Sequence, residues 1–253
     1  MFRVAALIPS PLVLIPELGG AAPLTDSTHP AAQVPQLREA VLTAGRMLAR
    51  QARHWTIVGA GTEPPTGVGS VRGFGADVRV TLSATEPGGE PRLDWPTALL
   101  VGAWLRGRIA AEDGDDIEAR ALPVDPGADP ARCADLGSRL RGELDADPRP
   151  HGVLVVADGA ATLSTTSPGY LDPRAEGEQR RIDDALDAGD RAALGALDPR
   201  LCAELDVAGR PGFQVLAGLF GIDTADPKVE TLYRAAPFGV GYHASVWYPA
   251  GAR

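Results

Sequence analysis

Two hydrophobic periods alternate along the chain. After Pro35 the apolar residues Leu37, Val41, Ala44 and Leu48 recur at the spacing of one helical face. After Pro130 the set Cys133, Leu136, Leu140 and Leu144 does the same, and after Pro96 so do Leu99, Ala103 and Ile109, with Trp104 beside that face. Ile182 and Leu186, stopped by Gly189, predict another helix, and Leu201, Cys202 and Leu205 begin a short one. Asp129-Pro130, Asp172-Pro173 and Asp198-Pro199 read as helix starts, because Asp can accept from orphan N–H groups and Pro fits the first helical position. Between these lie strand patterns at residues 3–8, 55–59, 78–82, 117–122, 153–157, 229–234 and 240–248. The runs at 3–8 and 153–157 are almost continuously apolar, as in strands buried on both faces. Strands alternating with helices predict an α/β fold: one domain over residues 1–253, a mostly parallel central sheet and helices on its flanks. The Gly/Pro-rich stretches 60–76 and 84–92 read as loops.

Composition narrows the function classes. The 253 residues carry 33 acidic and 24 basic side chains, a formal charge of −9. That balance speaks against a nucleic acid or an anionic membrane as partner, since both call for a basic surface. No apolar run approaches the length of a spanning helix, and the N-terminal run reads as a strand rather than a signal peptide. Cys133 and Cys202 suffice for neither a disulfide framework nor a zinc knuckle, so a reducing, cytoplasmic setting is expected. A single lysine, Lys228, stands among the basic residues and asparagine is absent. GC-rich codon usage accounts for this, so the arginines are not evidence of function.

In such sheets ligands bind beyond the carboxyl ends of the strands. Residues 9–11, 60–62 and 158–161 are therefore the segments to watch. His54 and His151 precede strands and read as sheet-edge or solvated side chains. His29 lies in a loop after the first strand, on the ligand side, and His243 reads as a buried core histidine in the last strand. The stretch from Asp158 to Ser167 offers a carboxylate and hydroxyls for a polar ligand, or equally a loop that Asp158 turns by side-chain-to-backbone bonds. Gly59-Ala60-Gly61-Thr62 is half of a dinucleotide fingerprint, but Glu63-Pro64-Pro65 follows it instead of a helix, so no such cofactor site is expected. No P-loop or nucleophile elbow occurs. The acidic run 112–116 reads as a solvated turn rather than a cation site.

Four segments resemble the class III extradiol dioxygenase superfamily, the family of the protocatechuate 4,5-dioxygenase β subunit, with Memo-type proteins as relatives. They are residues 5–17, containing Ile8-Pro9-Ser10-Pro11; residues 167–176, containing Ser167-Pro168-Gly169-Tyr170; residues 208–218, from Ala208-Gly209-Arg210-Pro211; and Ala236-Pro237-Phe238-Gly239-Val240-Gly241-Tyr242. Their order and spacing match from end to end, and small actinobacterial members are the most similar. The resemblance implies an extradiol-dioxygenase β-subunit-like fold. Active members hold Fe(II) with two histidines and a glutamate, leaving positions for O2 and a catechol, while a further histidine works as acid/base.

Transferred position by position, that chemistry is lost here. The histidine positions fall at Ser10, Gly61 and Ala161, with Asp158 nearby, and the glutamate near Asp206 or Val207. The expectation is a degenerate iron site: no cofactor, and a cleft lined by Ser10, Gly61, Asp158, Ala161 and Asp206 that binds a small molecule or a protein partner without catalysis or without metal. The alternative is a divergent non-haem iron dioxygenase acting on a catechol-like substrate, with His29 or His243 as surrogate ligands. A third reading makes Asp158 the general base of a metal-free hydrolase or lyase. Family members often dimerise, so the resemblance also implies a homodimer.

Overall fold

The structure is a computed structural model that describes residues 1–19, 29–85, 89–114 and 116–251. Strand β1 (Phe2–Ile8) leads through short 3-10 turns to helix α1 (Val34–Gln51), then to β2 (His54–Ala60). A two-stranded antiparallel ribbon, β3 (Gly69–Ser70) and β4 (Arg79–Val80), precedes α2 (Thr97–Asp113) and β5 (Glu118–Val124). Helix α3 (Pro130–Ala146) returns the chain to β6 (His151–Val156). Four helices follow, α4 (Ala175–Ala188), α5 (Arg191–Gly195), α6 (Pro199–Glu204) and α7 (Arg210–Leu219), before the hairpin β7 (Lys228–Ala235) and β8 (Tyr242–Tyr248).

The main sheet has the order β5-β2-β6-β1-β8-β7. The pairs β5/β2, β2/β6 and β6/β1 are parallel, and β8 is antiparallel to both β1 and β7. The α/β class and the mostly parallel sheet therefore stand as expected. Residues of β1 feed two separate cores, alternating from Val4 onward, while a register shift between Phe2 and Val4 turns Phe2 to the other side. Val4, Ala6 and Ile8 pack with Leu37, Val41 and Leu48 of α1 and with Leu99 and Leu105 of α2. Phe2, Ala5 and Leu7 pack with Leu140 and Leu144 of α3 and with Phe213 and Leu216 of α7. A strand covered on both faces can be apolar throughout, which explains the unbroken runs at β1 and β6.

Most element starts follow their signals. Asp129 Oδ1 accepts from Arg132 N at 2.9 Å ahead of α3, and Asp198 Oδ1 accepts from Arg200 N at 2.8 Å ahead of α6. Asp172 instead forms a turn with Arg174 N (2.9 Å), and α4 begins only at Ala175. The strand expected at 78–82 shrinks to the two residues of β4. Helix α7 is not among the expected helices; all of its residues are buried, Arg210 and Gln214 included. His54 and His151 are neither at a sheet edge nor both solvated. They begin interior strands β2 and β6 and face each other in register, with ring centroids 5.6 Å apart. His151 is buried, and that burial lowers its pKa. The acidic run closes α2, where Gly114 takes φ 70°. Glu112, Asp113 and Asp116 are each tied to an arginine, while Asp115 lies outside the described residues. Among the described residues no helix is long and apolar enough to cross a membrane.

Candidate functional site at the carboxyl edge of the sheet

Connectivity singles out one crevice. The chain leaves β1 and β2 toward α1 and α2 on one face, and leaves β6 toward α4 through α7 on the other. The strand ends of β1 and β6 thus diverge, which is the geometry that opens a ligand crevice in α/β sheets. Register brings the two ends level: Ile8 pairs with Val156, and Ala157 N donates to Ile8 O at 2.9 Å. Two residues further along each strand, Ser10 and Asp158 meet.

Ser10 gives both of its donors to Asp158. Its backbone N–H reaches Oδ1 at 2.8 Å, and its hydroxyl makes a short hydrogen bond to Oδ2. Burial pushes the Asp158 carboxyl above its ordinary pKa, and the two Ser10 donors oppose that rise. Both residues keep part of their surface open. Tyr242, the first residue of β8, is buried beside them. Its phenol is raised well above its usual range, first by burial, then by the Asp158 charge and then by Tyr233, so it stays a neutral hydrogen-bonding group. Phe238 packs against Tyr242 with ring centroids 6.5 Å apart. Tyr233 donates to Gln33 Oε1 at 3.2 Å across the same end of the sheet.

The strand-end loop that carries Asp158 is held from several sides. Gly209 N donates to Asp158 O at 2.9 Å, Gly159 N to Gly241 O at 2.8 Å, Gly241 N to Ala160 O at 2.9 Å, and Gly169 N to Ala161 O at 3.0 Å. Gln179 of α4 accepts from Ala160 N at 2.8 Å and donates to Asp183 at 2.9 Å.

The other sequence candidates are dispersed. Gly61 sits at the end of β2, its N–H on Val124 O at 2.9 Å. A Cβ there would stand 3.0 Å from the Pro96 ring and 3.2 Å from Pro123, so a larger side chain is crowded at its root. Ala161 is buried, with its N–H on Leu205 O at 3.2 Å. Asp206 is exposed in a left-handed turn with φ 52° after α6 and is not joined to the Ser10–Asp158 pair. His29 is exposed, and its Nδ1 accepts from Ala31 N at 3.2 Å. His243 is committed elsewhere: its Nε2 lies 2.9 Å from Asp187 Oδ1, and its buried Nδ1 has no partner. Neither His29 nor His243, the expected surrogate ligands, is bonded to Ser10 or Asp158. Among the described residues no group of three or more His, Cys, Asp or Glu side chains is arranged to hold a metal ion. The donors at the crevice, one carboxylate with a serine and a phenol, do not fit the two-histidine, one-carboxylate set that divalent iron takes. Tyr242, Gly209 and Gln179 were not singled out as site residues by sequence, although two of them lie inside segments that carried the resemblance.

No family model matches the chain, and no curated protein matches it. Among solved structures it is similar to that of the uncharacterized protein JW3007 from Escherichia coli K12, at 13% sequence identity over 97% of this chain and 99% of that one, with a TM-score of 0.48.

Proposed function

We propose that this chain is an extradiol-dioxygenase-like protein that recognises a small hydroxyl-bearing ligand at the carboxyl edge of its sheet without metal. The observation that carries this reading is the Ser10–Asp158 pair: Ser10, the position at which the resemblance calls for an imidazole ligand, gives both of its donors to the Asp158 carboxyl. The segments bearing the resemblance also gather at this loop. Ser10, Gly169, Gly209 and Gly241 each bond directly to residues 158–161. The Asp158 carboxyl accepts a ligand hydroxyl, Ser10 Oγ accepts because its own proton is committed to Asp158, and neutral Tyr242 donates. This set orients a polar molecule but contains no imidazole to move protons and no ligand set to activate O2.

Catechol is the direct probe. Titrated calorimetrically into protein stripped of metal by a chelator, it is expected to bind saturably. Asp158→Asn is expected to weaken it by about tenfold or more, the scale of one charge-assisted hydrogen bond. Oxygen consumption is expected to stay at background when ferrous iron is added. Catechol binding indifferent to Asp158→Asn, or iron-dependent ring cleavage, would refute the proposal.

A further inference from the structure

Two of the crevice groups come from distant parts of the chain, Asp158 from the end of β6 and Tyr242 from the start of β8. Each has a glycine beside it: Gly159 follows Asp158, and Gly241 precedes Tyr242. The two glycines are zipped together. Gly159 N donates to Gly241 O at 2.8 Å, and Gly241 N donates to Ala160 O at 2.9 Å. The side-chain amide of Gln179 lies directly against this pair. A Cβ on Gly159 would stand 2.7 Å from Gln179 Nε2, and one on Gly241 would stand 2.5 Å from it. Only glycine leaves room for the amide at both places.

Gln179 is 7% exposed, and its bonds fix the amide in one orientation. Oε1 accepts from Ala160 N at 2.8 Å, and Nε2 donates to Asp183 Oδ1 at 2.9 Å, one turn further along α4. Turned over, the amide would set a donor against the Ala160 N–H and an acceptor against the Asp183 carboxylate. Asp183 is 8% exposed and is held in turn by Arg234 of β7, whose Nε lies 3.3 Å from Oδ2. A chain of polar contacts thus runs from β7 through Asp183 and Gln179 to the backbone that carries Asp158 and Tyr242.

We infer that Gln179 is the positioning residue of the crevice: anchored by Asp183, its amide fixes the Gly159–Gly241 platform and so sets where the Asp158 carboxyl and the Tyr242 phenol stand. It acts through the backbone and not on the ligand. The effect on binding rests on the reading of the crevice as a ligand site, whereas the hold on the platform does not.

Three variants test it. They are read by catechol titration of the metal-stripped protein and by NMR hydrogen exchange at the Ala160 amide, which needs no ligand. Gln179→Met keeps the bulk of the side chain and removes both bonds. It is expected to weaken catechol and to speed Ala160 exchange, each by about tenfold or more. Gln179→Glu keeps an acceptor for Ala160 N but sets a second carboxylate against Asp183, and the two cannot both hold their charge. It is expected to lose as much at pH 7. Combining Gln179→Glu with Asp183→Asn exchanges amide and carboxylate. The new glutamate accepts from Ala160 N and from the new asparagine, so both bonds return, one of them reversed. Catechol affinity and Ala160 exchange are then expected within about threefold of wild type. A side chain that merely fills space gains nothing from the second substitution. Gln179→Met that binds and exchanges like wild type overturns the inference, as does a double variant no better than Gln179→Glu in folding, exchange and binding. If Gln179→Met does not fold, the single and double glutamate variants decide. If wild type binds no catechol, the reading of the crevice fails and the exchange rates alone judge the role of Gln179.

Discussion

Replacing Gly209 by valine is expected to destabilise the protein by about 3 kcal/mol, the upper range for overpacking a filled site. A Cβ on Gly209 would stand 2.3 Å from Asp158 O and 2.7 Å from Asp158 N, both backbone atoms that cannot rotate away. Relief requires the start of α7 to move off the end of β6, which also breaks the bond from Gly209 N to Asp158 O. At about 2–4 °C per kcal/mol for a chain of this size, the melting temperature should fall by roughly 6–12 °C in a calorimetric scan. The same displacement shifts Asp158, so catechol binding should be lost in whatever protein remains folded. A valine variant that melts with the wild type would mean that α7 does not clamp this strand end.

Asp158→Asn is expected to separate recognition from stability. The amide oxygen can still accept from Ser10 N, and the amide nitrogen can donate to Ser10 Oγ, so both contacts survive with one reversed. What disappears is the cost of holding a charge away from water. The sign follows from the raised pKa. Between the unfolded and folded values the native state binds more protons than the unfolded chain, so stability falls as pH rises through that window. Wild type therefore carries the penalty at neutral pH and sheds it in acid. The asparagine variant should be more stable than wild type at pH 7, and its advantage should shrink as pH drops toward the ordinary aspartate range, as read from urea melts. Asp158→Ala should instead lose about 1–3 kcal/mol, because Ser10 N–H is left without its partner. A carboxylate retained at a cost to stability is the mark of a group kept for binding.

The architecture was legible where local chemistry and periodicity agreed. Asp129 and Asp198 announced α3 and α6, and the double-sided burial of β1 and β6 was written in their unbroken apolar runs. Helix α7 was passed over although Pro211 stands in its first turn; its polar side chains Arg210 and Gln214 are buried and bonded to each other instead of marking a solvent face. The sequence patterns at residues 3–8 and 153–157 pointed to the ends where Ser10 and Asp158 lie, but only the strand order made them partners. His54 and His151 were misread because their place before a strand says nothing about which strands flank it. His243 was rightly placed inside a strand and buried, yet its tie to Asp187 of α4 is a contact across elements that spacing cannot express. Tyr242 and Gln179 escaped notice for the same reason: each acts through a partner distant in sequence.

The most direct measurement is metal analysis of the protein after loading with ferrous iron under anaerobic conditions and desalting. The proposed metal-free crevice, with Ser10 and Asp158 as its polar pair, predicts far less than one iron per chain, and an iron content unchanged by Asp158→Asn. One firmly retained iron per chain, lost on substituting Asp158, His29 or His243, would contradict it.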